Sequence, residues 1–186
     1  MPLPAVSALQ ASGEFQAMAV SRQGVVPQAY VTYHQARRAC DRAGKRLCSE
    51  EEWTRACRGR ADRQFPYGDT FERSKCNVYA YVHPGLLLHD NSSVGHRDPR
   101  LNLIMLGGDR PLLRRTGITP TCASEWRADR IYDMVGNLDE WIEDEGGVFK
   151  GGFYARSTTR GCESEVRNHA PIYSDYSTGF RCCQSL

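Results

Sequence analysis

Apolar and small residues recur at helical spacing twice in the first third of the chain. Ala36, Ala39, Cys40 and Ala43 share one face of a segment that Thr32 can cap and Gly44 can end, which predicts a helix over about residues 33–43. Ser49 and Glu52 form a capping box for a second helix. Glu50 and Glu51 sit where its dipole favours negative charge, Trp53, Ala56 and Cys57 make its buried stripe, and Gly59 closes it. Over 60–126 the periodicity dissolves into turn chemistry: Phe65-Pro66-Tyr67-Gly68-Asp69, His83-Pro84-Gly85, Asp90-Asn91-Ser92-Ser93, Gly107-Gly108 and Thr119-Pro120. So long a stretch without regular structure is either functional or pinned by cross-links, and Cys76 and Cys122 stand near its ends. Short strand candidates follow at 148–150 and 179–183. Successive side chains of a strand point to opposite faces, so Cys182 and Cys183 reach two different partners. Residues 1–28 are weakly patterned and read as an irregular or strand-forming lead-in to a single domain over 29–186.

Composition narrows the class. The 186 residues, 40% hydrophobic, suffice to bury one core, and no apolar run approaches the roughly 20 residues that a membrane span needs. Lys and Arg number 24 against 22 Asp and Glu, for a net charge of +2 without a long basic stripe, so nucleic acid is not the expected partner. The eight cysteines contain no Cys-x-x-Cys pair, which argues against a zinc knuckle or a thioredoxin-like centre and for four disulfides, with 105 connectivities open. Disulfides imply an extracytoplasmic or secreted location. The first thirty residues nevertheless lack a charged start followed by a sustained apolar segment, so either a signal has been removed from this chain, the favoured expectation, or the thiols are reduced.

The densest stretch is Ile131-Tyr132-Asp133-Met134-Val135-Gly136-Asn137-Leu138-Asp139-Glu140-Trp141, followed by Gly151-Gly152. Three carboxylates, a glycine and an amide crowd into eleven residues, more special-purpose chemistry than a plain strand or helix needs. With Ala43-Gly44-Lys45-Arg46-Leu47, Ser49-Glu50-Glu51-Glu52-Trp53, Ala56-Cys57-Arg58-Gly59, Pro66-Tyr67-Gly68-Asp69, Cys76-Asn77 and Gly179-Phe180-Arg181-Cys182, it resembles the formylglycine-generating enzyme (sulfatase-modifying factor) family over about residues 27–183.

The resemblance implies an irregular, loop-rich α+β fold, a variant of the C-type lectin fold, with two helices in the N-terminal half and short antiparallel strands. It implies disulfides Cys40 to Cys182 and Cys57 to Cys162, and the remaining four cysteines are then assigned as Cys48 to Cys183 and Cys76 to Cys122. Active members bind copper through two cysteines just after the Gly-Gly pair, with a serine beside them. Aligned on Gly151-Gly152, those positions are Arg156 and Gly161 for the thiolates and Phe153 for the serine. Cys162 stands one residue from the second slot. A single thiol cannot supply a two-thiolate copper site, so copper is not expected. The tryptophan and asparagine of the family's neighbouring motifs are matched by Asp139 and Ser177.

The same resemblance implies a calcium ion on the Asp133 and Glu140 side chains and the Gly136 and Leu138 carbonyls, and a second site at Asn77 and the Val78 carbonyl. Crowded hard oxygen ligands suit calcium, because neighbouring carboxylates repel until a divalent ion joins them. The alternative is that Asp133 and Glu140 only cap turns.

Over 153–178 the composition is like that of antibody loops, rich in Tyr, Ser, Thr, Arg and Asn. The expectation is a non-catalytic or diverged module that binds a peptide, protein or small molecule there through Asp139, Tyr154, Arg156, Asn168, His169, Tyr173, Asp175 and Tyr176, unless the segment is simply a polar, solvated loop. One alternative is an oxidoreductase with another metal or residue set, from Arg156, His169, Tyr154 and Asp139. Others are a variable protein of a diversity-generating retroelement, which the segment also resembles, and a domain cut from a larger secreted or kinase-linked protein. Three further features take an ordinary reading. His83, His89 and His96 are expected to be exposed loop residues rather than iron ligands with Asp90 or Asp98. Tyr67, Trp53 and Trp141 are read as core, and Asn91-Ser92-Ser93 is a glycosylation sequon carrying no further inference.

Overall fold

The structure is a computed structural model that describes residues 16–79 and 82–185. The first half of the expected lead-in therefore lies outside the described residues. Its second half is irregular and docks on the domain: the Ala19 amide donates to Ala39 O, the Gly24 amide to Thr116 O and the Thr116 amide to Val25 O, at 2.8–2.9 Å.

Both sequence-predicted helices form. Helix α1, Tyr33–Arg42, is capped by Thr32, whose hydroxyl accepts the Gln35 amide while the Gln35 side chain accepts the Thr32 amide. It buries Tyr33, Ala36, Ala39 and Cys40. Strand β1, Arg46–Leu47, leads into α2, Glu50–Arg58, which starts on the Ser49–Glu52 capping box and buries Trp53 and Cys57.

The stretch 60–126 is more regular than its turn residues suggest. It holds helix α3, Pro84–His89, a 3-10 turn at Pro99–Leu103, and strands β2, Met105–Leu106, and β3, Arg110–Pro111, paired as a hairpin. The His83 side chain accepts the Gly85 amide, and Pro84 at the first position needs no amide partner, so His-Pro-Gly starts a helix rather than a plain turn. Strand β4, Ala123–Trp126, pairs with β5, Asp129–Tyr132.

A four-stranded sheet carries the second half. Strand β6, Asp139–Trp141, lies between β7, Phe149–Lys150, which is antiparallel, and β9, Thr178–Phe180, which is parallel; β8, Glu165–Val166, forms the edge. The strand expected at 179–183 is two pieces, β9 and then β10, Cys182–Cys183, which pairs with β1. Between them Arg181 turns its side chain toward Glu140. The turn entering β6 has positive φ at Asp133, Gly136 and Asn137. At Gly136 an added Cβ would stand 2.2 Å from the Asn77 carbonyl oxygen, so the close backbone approach there requires glycine.

Four disulfides staple these elements: Cys40–Cys182, Cys48–Cys183, Cys57–Cys162 and Cys76–Cys122, the pairs named above. All eight cysteines are used. Trp53, Cys57, Cys76, Cys122 and Cys162 share one core cluster; Tyr33, Trp141 and Phe149 anchor another. Trp53 and Trp141 are fully buried.

Candidate functional site

Strand β6 presents three consecutive buried side chains, Asp139, Glu140 and Trp141. Glu140 is held from two directions. Arg181 donates from Nε to Oε2 and from Nη2 to Oε1, each at 2.8 Å, and the Trp53 indole donates to Oε2 at 2.7 Å. Arg181 Nη2 also reaches the Tyr132 carbonyl at 3.0 Å, which closes β5 onto the start of the turn.

Asp133, at the head of that turn, accepts the Gly117 amide on Oδ2 at 2.8 Å; burial raises its pKa, against the pull of that amide and of Arg181. The oxygens that the resemblance assigns to calcium are thus partly committed, and Arg181 already provides a positive charge among them. Both Glu140 oxygens already accept from Arg181, so a calcium ion at these residues would have to share that carboxylate with the guanidinium. At the second implied site the Asn77 amide nitrogen is spent on Leu112 O and Asn137 Oδ1, at 2.8 and 2.9 Å. Among the described residues no group of three or more His, Cys, Asp or Glu is arranged to hold a metal.

The positions matching the family's copper site are filled. Phe153 is buried, and the Arg156 guanidinium lies 4.9 Å from the centre of its ring. Arg156 Nη1 donates to Asp139 Oδ1 at 2.9 Å. At Gly161, with φ of +58°, an added Cβ would stand 2.3 Å from the Gln64 carbonyl oxygen, so no thiol can occupy that place. Cys162 is bonded to Cys57.

Asp139 is fully buried, and its Oδ2 has no hydrogen-bond partner among the described residues. Burial pushes its pKa up to about 7, outweighing the attraction of Arg156, while nearby Asp175 adds to the rise. Between the ordinary carboxylate range near 4 and about 7 the folded chain therefore holds a proton that the unfolded chain has lost. The stability this residue contributes is fully present below about pH 4, falls as pH rises, and is gone above about pH 7. Asp139→Asn is expected to flatten the decline of stability across that window, read by urea unfolding at each pH. An unchanged slope in the variant would exclude Asp139 as the titrating group.

Aromatic and histidine side chains cluster beside the Arg156–Asp139 pair. The Tyr173 hydroxyl donates to Asp175, and His169 stacks on Tyr173 with ring centres 3.9 Å apart. Tyr176 and His83 share a hydrogen bond at 2.8 Å, with the His96 ring edge-on at 5.9 Å. His83 and His96 were missed as members of this cluster. His83-Pro84-Gly85 held the signal, since a helix-capping histidine is held in place and not free in a loop.

The expected contact surface needs correction. Tyr154, Tyr176, Asp175 and Asp139 are buried; Tyr154 donates from its hydroxyl to Asn102, and Asp175 accepts from the Ser177 amide and hydroxyl. Tyr154 and Tyr176 thus fill the core. Solvent meets Ser157, Thr159, Arg160, Arg167, Asn168 and Ile172, with Arg156, His169 and Tyr173 half-buried beside them. His83 and His96 meet at Tyr176, while His89, the last residue of α3, faces Asp98. His96 Nε2 meets Ser92 O at 2.9 Å, and His89 Nε2 lies 3.3 Å from Asp98, too poorly aligned for a hydrogen bond.

Fold and site together define a disulfide-stapled α+β domain in which Arg156 and Gly161 stand at the two positions that match the family's copper-ligating cysteines. Residues 7–186 match the family model of the sulfatase-modifying factor enzyme 1-like domain, and the chain belongs to that family. It is 29% identical over 121 residues to the inactive C-alpha-formylglycine-generating enzyme 2 of Bos taurus, covering 64% of this chain and 33% of that one. To the formylglycine-generating enzyme of Thermomonospora curvata it is 28% identical over 122 residues, covering 63% and 33%. The aligned segment spans about a third of the length of these curated relatives. The solved structure of PvdO from Pseudomonas aeruginosa superposes with a TM-score of 0.51 at 18% identity, over 92% of this chain and 72% of that one, a likeness of fold.

Proposed function

We propose that this domain does not generate formylglycine with copper and serves as a binding module, taking a peptide, protein or small molecule at the groove beside Arg156. The Arg156–Asp139 pair carries the reading: a charged pair and the Phe153 ring fill the space where copper chemistry needs soft thiolates. Arg156, with its side chain 35% exposed, offers the groove a cation next to the His169 and Tyr173 rings, a setting suited to an acidic group on an aromatic or apolar ligand. The likeness to a relative named as inactive supports the same reading. An oxidoreductase built on Tyr154 is disfavoured because that hydroxyl faces the core, and burial raises its pKa far beyond the working range of an acid or base. Four disulfides favour an oxidising, extracytoplasmic setting, and no helix among the described residues is long and apolar enough to cross a membrane. Exposure of a cysteine-containing peptide to the copper-treated protein tests the reading, with no aldehyde expected.

Calcium belongs to the proposal as a scaffold ion on Asp133, the carbonyls of Gly136 and Leu138, and one oxygen of Glu140. At about a hundredfold its dissociation constant, calcium would add about 2.7 kcal/mol to the folded state and raise the melting temperature by about 5–10 °C over a chelated sample. Identical melts with and without chelator would remove calcium from the account.

A further inference from the structure

A concavity lies where the end of α2 meets the β4–β5 hairpin. It encloses about 410 Å³, within the range of ligand clefts, and Arg58, Arg60, Arg63 and Arg127 line it with Glu125 and Pro66. Four arginines thus face one carboxylate, and Glu125 is itself paired with Arg130 at 3.1 Å. Arg58 is neutralised by Glu163 at 2.6 Å and Asp62 at 3.2 Å. Among the described residues, no carboxylate pairs with Arg60, Arg63 or Arg127. Like charges gathered in a concave wall repel one another, and a bound anion relieves that repulsion.

Two further observations go beyond a solvated basic surface. Arg58, whose side chain lines the cleft, keeps a buried Nε with no hydrogen-bond partner among the described residues. Arg127, at the tip of the hairpin, has φ of +54°, a conformation that favours Gly or Asn over a long side chain. Holding arginine there has a conformational cost, and its guanidinium is what the position adds to the cleft.

We propose that this cleft binds a small molecule bearing a tetrahedral oxyanion ester, a sulfate or a phosphate. Arginine forks match the oxygens of either group, and the volume leaves room for the carrier beyond the bare ion. The site is independent of the groove at Arg156.

Titration calorimetry at fixed ionic strength tests it, with glucose 6-sulfate, glucose 6-phosphate and the two inorganic anions as probes. Saturable binding of either ester is expected, weakened about tenfold in Arg127→Asn and in Arg60→Gln, and unchanged in Arg156→Gln. Asparagine tolerates the left-handed backbone, so Arg127→Asn is expected to keep the wild-type melting temperature and separate lost contact from lost fold. Movement of the Arg58 Nε–H resonance during titration would place the ligand at the orphaned donor. Heats that never saturate, or equal affinities in wild type, Arg127→Asn and Arg60→Gln, would overturn the proposal.

Discussion

Replacing Arg181 with methionine is expected to destabilise the domain by about 3 kcal/mol, the lower end for breaking a buried ion pair because the Arg181 side chain keeps 27% of its exposure. The reason lies in what stays behind. Glu140 would keep a negative charge at 11% exposure with only the Trp53 indole to hold it, and Tyr132 would lose a donor to its carbonyl. Both losses fall where β5, β6 and the break between β9 and β10 meet, so the turn from Asp133 to β6 should loosen with them. Adding Glu140→Gln to Arg181→Met removes the stranded charge and is expected to recover part of the loss. Urea unfolding of the two variants reads the difference. A cost for Arg181→Met below about 1 kcal/mol would mean that the pair behaves as a surface ion pair.

Removing the Cys57–Cys162 bridge by a double alanine substitution is expected to cost about 4 kcal/mol, since it closes a loop of 105 residues. The bridge ties the end of α2 to the Gly161–Glu163 turn, just beyond the segment that carries Phe153 and Arg156. The Cys76–Cys122 bridge, at a separation of 46, is expected to contribute somewhat less. Thermal or urea unfolding under oxidising conditions compares the variants. Equal stability of the Cys57→Ala/Cys162→Ala protein and the wild type would show that core packing alone holds the segment.

Legibility followed the physical origin of each feature. Helices α1 and α2 were readable because their caps, Thr32 and Ser49, and their apolar stripes are local signals. Divergent partners for Cys182 and Cys183 followed from strand alternation, while the full pairing needed the family resemblance. Strand β6 escaped the pattern because it is three residues long and buried throughout, without polar alternation. Arg156 was legible as an altered position, but its bond to Asp139 depends on the segment after β7 folding back onto the entry to β6, where the Tyr154 amide donates to the Asn137 carbonyl. Tyrosine misled the reading of 153–178, since Tyr154 and Tyr176 have bodies large enough to fill the core and hydroxyls that find partners inside it.

The central claim is that Arg156, paired with Asp139, and Gly161 stand at the two positions where copper chemistry would need thiolates. Its most direct test is mass spectrometry of a cysteine-containing peptide after incubation with the purified, disulfide-bonded protein, copper and oxygen. The account predicts unmodified peptide for the wild type. Formylglycine appearing at the peptide cysteine, dependent on both protein and copper, would contradict it.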